Sequence, residues 1–166
     1  MQQPAIIEKP QLHVVGFEAP FISVLSPDAN NFQVIGELWS KICDGAKNVS
    51  NRFGDNMFGI VYAIPEHQRS HPHELKYVAA VAVDSPGDVP DGMVARTIDA
   101  GTFAVFKHVG PIRTLGETCD EIYRKWLPQS DFVPGNQPDI EVYGAKFNSE
   151  SDDSEMEYCV SIIPST

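Results

Sequence analysis

Pro138-Asp-Ile-Glu-Val-Tyr-Gly-Ala-Lys-Phe147 reads as a β-strand. Ile140 and Val142 alternate with Glu141 and Tyr143, and a two-residue period is the signature of a pleated chain. Glu141 and Tyr143 therefore share one face. A carboxylate placed in this way has two settings open to it. It stands on the wet face of a half-exposed strand, or it sits in a pocket where a positive partner compensates its charge.

The neighbouring segments extend the pattern in both directions. Residues 149–155 form a very acidic turn, and 156–164 a final strand. Upstream, residues 101–109 read as a strand that Gly110-Pro111 breaks. Thr114 and Glu117 have the spacing of a capping box. Leu115, Cys119, Ile122, Tyr123 and Trp126 recur as the apolar stripe of a helix, which Pro128 is expected to stop. The first half of the chain repeats this order. Residues 12–17 are a strand, and Ser26 before Pro27 is a helix-start signal. Phe32, Ile35, Leu38, Trp39 and Ile42 carry a helix to about Asp44, with Gly45 closing it. A polar turn at 51–56, strands at 57–64 and 75–83 around a loop at 65–74, and a short strand at 93–98 complete that half.

Strand–helix–strand–strand thus occurs twice. Leu38-Trp39-Ser40-Lys41-Ile42 echoes Ile122-Tyr123-Arg124-Lys125-Trp126, and Lys76-Tyr77-Val78 echoes Glu157-Tyr158-Cys159. Ile60-Val61-Tyr62-Ala63 is matched with Glu141-Val142-Tyr143-Gly144. A period of about 80 residues is too long for a solenoid unit. The expected fold is α+β, a tandem pseudo-twofold repeat with antiparallel sheets and one helix per repeat. Repeat one spans about 11–98 and repeat two about 101–164, within a single domain of residues 1–166. Two such halves make a cleft where they meet, a common place for small ligands. Glu141 would supply one carboxylate to it. Tyr143, Tyr62, Trp39, Phe17, Tyr77 and Tyr158 are the candidate aromatic lining, although each could equally be a core residue. Together they describe a site for a flat lipophilic cation, neutralised by the carboxylate and stacked on rings.

Charge narrows the function classes. Lys and Arg number 12 against 23 Asp and Glu, a formal net charge of -11. That balance argues against a binder of the nucleic-acid backbone and suits a cationic partner, or simply a soluble protein that avoids self-association. Cys43, Cys119 and Cys159 are widely spaced and odd in number, and residues 1–10 lack a long apolar run. The expectation is a cytoplasmic protein with reduced thiols packed as small core residues. Asn48-Val49-Ser50 then carries no glycan. No stretch is long and apolar enough to cross a membrane. His67, His71 and His73 lie in one loop, but Arg69 and Pro72 interrupt them and no rigid framework holds them, so no metal is expected. Nothing resembles a phosphate-cradling loop or a nucleophile elbow, and no cofactor is expected.

Gly101-Thr-Phe-Ala-Val-Phe-Lys-His-Val-Gly-Pro111, Ile122-Tyr-Arg-Lys-Trp-Leu-Pro128, Ile140-Glu-Val-Tyr143 and Ser161-Ile-Ile-Pro164 stand in a familiar order. In that order the chain resembles the GyrI-like small-molecule-binding domain, also found as the effector-binding domain of AraC-type and MerR-type multidrug regulators. The resemblance implies the duplicated α+β unit. It implies that Glu141 lies at the bottom of an aromatic cleft and meets cationic, drug-like molecules. With only about ten residues before the first strand, a stand-alone domain without a DNA-binding segment is expected. The family also includes hydrolases of strained cyclopropane-bearing toxins, which would use the same glutamate, with Tyr62 or Tyr143 polarising the leaving group. It includes inhibitors of DNA gyrase as well. For that third reading the acidic run at 149–155 would imitate nucleic acid, against the plainer alternative of a solvated turn.

Overall fold

A computed structural model describes residues 2–166. In chain order the strands are β1 (Ala5–Lys9), β2 (Leu12–Ile22), β3 (Arg52–Ala63), β4 (Glu74–Val83), β5 (Val94–Ile98), β6 (Gly101–Val109), β7 (Phe132–Pro134), β8 (Asp139–Tyr143) and β9 (Glu155–Pro164). The helices are α1 (Asn31–Gly45), α2 (Leu115–Glu121) and α3 (Leu127–Gln129), with a π-helical turn at Ile122–Trp126 joining the last two. The chain divides into two compact units, one of residues 12–98 and one combining the N-terminal segment to Gln11 with residues 99–166. Each unit is α+β with antiparallel strands.

In the 12–98 unit β4 pairs with both β2 and β3, and β5 pairs with the other edge of β2. Alternation along β2 and β4 decides what faces α1. Val15, Phe17, Ala19 and Phe21, together with Tyr77, Ala79, Val81 and Val83, form one apolar cluster with Leu38 and Ile42 of the helix. Each fully buried side chain of this kind stabilises the fold by about 1.5–3 kcal/mol. The small residues of β4 allow close approach at one point. A Cβ on Gly16 would come 2.0 Å from the Ala79 carbonyl oxygen.

In the other unit β9 lies between β6 and β8, and β1 pairs with the outer edge of β6. The short β7 pairs with the end of β9. Ala104, Phe106, Tyr158, Val160 and Ile162 pack against Ile122, Trp126 and Leu127. The Trp126 ring meets Phe106 edge-on at 5.1 Å and stacks on Phe132 at 6.3 Å. Gly110, with φ at 125°, makes the break after β6 that Gly110-Pro111 announced.

Several elements depart from the sequence reading. Ser26 does not start a helix: its hydroxyl accepts the Asp28 amide at 3.1 Å inside a turn, and α1 begins at Asn31. Thr114 does not close a capping box; its hydroxyl donates to the Pro111 carbonyl at 2.8 Å. The helical run continues through the π-turn and past Pro128 by one residue, ending at Gln129 before extended Ser130. Residues 52–56 belong to β3, with an irregular register between Arg52 and Met57. β8 has five residues, and Gly144 to Phe147 is a turn closed by the Phe147 amide on the Gly144 carbonyl. β1 and β7 are too short to show a period and were not expected.

Register corrects one pairing of the halves. Tyr158 stands opposite Glu141, whereas Tyr77 stands opposite Val61, not Ile60. If Tyr77 corresponds to Tyr158, the counterpart of Glu141 is Val61. A slip of one residue exchanges the faces of a strand.

Candidate functional site

The strand around Glu141 settles which setting the carboxylate occupies. Glu141 is 6% exposed, so the wet-face alternative is overturned. The Tyr143 hydroxyl donates to Glu141 Oε1 at 2.7 Å. Two positions apart on one face of a strand, the ring can lean back over the carboxylate. Phe147 meets the Tyr143 ring edge-on at 4.6 Å. The turn after β8 thus supplies the side chain that holds Tyr143.

Asp139, two residues before Glu141, projects from the same face. Its Oδ2 accepts hydrogen bonds from Tyr158 at 2.7 Å and from Tyr123 of the π-turn. Burial pushes the Asp139 carboxyl up to about 6, and the two phenols pull it back part of the way. Burial, and then the charge of Asp139, raises both Tyr158 and Tyr123. Both therefore remain neutral hydroxyl donors near neutral pH. Cys119 is pushed up to about 12, by burial first and then by the charge of Glu141, so it is a thiol and no nucleophile. Two carboxylates, three phenols and a neutral thiol thus share the helix-facing side of this sheet. Such a lining stabilises positive charge and offers rings for it to lie against.

The remaining candidates fall elsewhere. Phe17, Trp39 and Tyr77 belong to the α1 side of the 12–98 unit. Trp39 Nε1 donates to the Tyr77 hydroxyl at 3.2 Å, with the rings edge-on at 6.3 Å. Tyr62 lies on the opposite face of that sheet, near Glu18 and Arg96, and does not join Trp39 and Tyr77. The structure therefore gathers Glu141, Tyr143 and Tyr158 in one unit, Phe17, Trp39 and Tyr77 in the other, and leaves Tyr62 apart. Sequence reasoning missed Asp139 and Tyr123. The signal was present: Asp139 has the same strand parity as Glu141, and Tyr123 follows Cys119 by four on the helical stripe.

Two other features have ordinary settings. The acidic run is partly neutralised, with Arg113 at 3.6 Å from Glu150, and Lys107 and Lys146 at 3.3 and 3.6 Å from Glu155. His71 meets Asp28 at 3.2 Å. Among the described residues no group of three or more His, Cys, Asp or Glu side chains is placed to hold a metal ion. Among the same residues no helix is long and apolar enough to cross a membrane.

The family model of the GyrI-like small molecule binding domain matches residues 2–163. The chain belongs to the GyrI-like family. It is 28% identical over 147 residues to the transcriptional regulator BrlR of Pseudomonas aeruginosa, a match taking in 89% of this chain and 50% of that protein. The chain thus spans about half the length of the curated relative it matches. Among solved structures it is similar to SAV2435 bound to tetraphenylphosphonium, with a TM-score of 0.74 at 14% identity over 98% of this chain and 94% of that one. The EcmrR C-terminal domain gives 0.72 at 16% identity, with 98% of each chain covered. At such identities these two likenesses show the GyrI-like fold.

Proposed function

We propose that this GyrI-like domain binds lipophilic aromatic cations, with Glu141 as the counter-ion. The observation that carries the reading is a carboxylate only 6% exposed, held by the Tyr143 hydroxyl at 2.7 Å on a face shared with Asp139 and Tyr158. Burying a carboxylate is costly, and a cation that reaches it recovers part of that cost. Ring area and cation–π contact with tyrosine add about 0.5–2 kcal/mol each. The relative bound to tetraphenylphosphonium supports the same ligand class.

The test compares methyltriphenylphosphonium with neutral triphenylphosphine oxide by calorimetry, on the native protein and on Glu141→Gln. Removing a buried charge partner should weaken the phosphonium by roughly 10- to 100-fold, about 1.5–3 kcal/mol, and leave the oxide nearly unchanged. Equal weakening of both ligands would contradict the proposal. The hydrolase reading of the same glutamate has its own signature: turnover of a strained electrophile that Glu141→Gln abolishes.

A further inference from the structure

A second site lies on the 12–98 unit, on the sheet face turned away from α1. Because Phe17, Val61 and Tyr77 face the helix, their neighbours Glu18, Tyr62 and Lys76 project from the opposite face. Tyr62 and Lys76 stand directly opposite each other on β3 and β4. With Arg96 of β5 and the Ala63, Ile64, Pro65 and Gln68 wall, they line a cavity of about 140 Å³ that is open to solvent on one side. The wall is pinned from outside. Arg69 Nε donates to the Ile64 carbonyl at 2.6 Å, and the Gln68 amide donates to that of Pro65 at 2.8 Å.

The charges in the cavity do not cancel. Glu18, whose side chain is 13% exposed, receives both Arg96 Nε and Arg96 Nη2 at 2.9 Å. That bidentate pair satisfies the carboxylate. Lys76 Nζ approaches it only at 3.5 Å, so the ammonium keeps donors for another acceptor. Within the lining two cations face one carboxylate, on a chain whose net charge is -11; the Glu74 carboxylate, two residues from Lys76 and within its field, is engaged by the Ser70 amide and hydroxyl at 2.8 Å each. The Tyr62 hydroxyl makes no hydrogen bond with any described residue, and burial keeps it protonated. It is a neutral donor set opposite the spare ammonium.

We infer that this cavity binds a small monocarboxylate with a compact apolar body. Its carboxylate would take Lys76 Nζ and the Tyr62 hydroxyl, and its body would lie against Ile64 and Pro65. A cavity of this volume accommodates about one six-membered ring. The site is built from β2 to β5 and the loop after β3, and it takes the opposite ligand charge to Glu141.

Benzoate is the probe, with benzamide and benzylammonium as neutral and cationic counterparts, titrated into the isotope-labelled protein and followed by amide chemical shifts. The expected result is saturable shifts at residues 62–68, 76 and 96 for benzoate alone. Lys76→Gln, at a half-exposed side chain, should weaken benzoate about tenfold, and Tyr62→Phe should weaken it several-fold. Methyltriphenylphosphonium binding should be unaltered in both variants. Absence of saturable shifts, equal binding of benzamide or benzylammonium, or undiminished benzoate binding in Lys76→Gln would each overturn the inference.

Discussion

Asp139 shows how a single side chain ties stability to the site. Its carboxyl is raised from 3.8 to about 6, chiefly by burial. Below pH 3.8 folded and unfolded chains both hold the proton. Between pH 3.8 and 6 the unfolded chain releases it first, so the folded state loses stability as pH rises across that window. Above pH 6 both forms are ionised and the penalty is constant, on the order of 2–3 kcal/mol. Asn in place of Asp139 keeps an acceptor for Tyr123 and Tyr158 but does not titrate. Urea midpoints at pH 4, 5 and 6.5 should therefore show the Asn variant gaining on the native protein as pH rises; a constant difference would contradict this origin. Alternation put Glu141 and Tyr143 on one face but left the wet-face and pocket settings open; the resemblance favoured the pocket, and the 6% exposure of Glu141 decides it. Asp139 was not singled out because its importance comes from two tyrosines 16 and 19 residues away, which only the folded chain brings to it.

Strands with strong alternation and the apolar stripes of α1 and α2 were readable in the sequence, except that Phe32, counted in the first stripe, is 66% exposed. The elements that escaped have physical reasons. β1 pairs along β6 but has five residues with little burial, so no period develops. The start of β3 is polar and exposed, and its register shifts before Met57. The π-turn at Ile122–Trp126 has no local composition that distinguishes it from an α-helix. Matching Ile60 to Glu141 and Tyr77 to Tyr158 cannot both hold, because Tyr77 stands opposite Val61, and Tyr62 accordingly faces away from Trp39 and Tyr77. The contact between β2 and β4 makes a further claim at this level. Gly16→Ala places a methyl 2.0 Å from backbone oxygen that cannot rotate aside. The strands must separate, and a loss of about 2–4 kcal/mol is expected. Chemical denaturation measures it, and a change below about 0.5 kcal/mol would show that the strands accommodate the methyl without strain.

For the chain as a whole, membership of the GyrI-like family rests on a match over residues 2–163. The order of the motifs around Gly101, Ile122, Ile140 and Ser161 makes the likeness visible in the sequence itself. What motif order could not supply was side-chain direction, since parity within a short strand is fixed only by pairing with its neighbour. The acidic surplus agrees with a cationic ligand, while the Lys76–Arg96 cavity is a local exception hidden by the net charge. The claim that matters most is that Glu141 meets the ligand's positive charge. A crystal structure of the chain with tetraphenylphosphonium would test it directly. The account predicts the phosphonium centre within about 6 Å of the Glu141 carboxylate, with phenyl rings against tyrosine. A phosphonium bound elsewhere, with Glu141 still buried against Tyr143 and out of its reach, would contradict it.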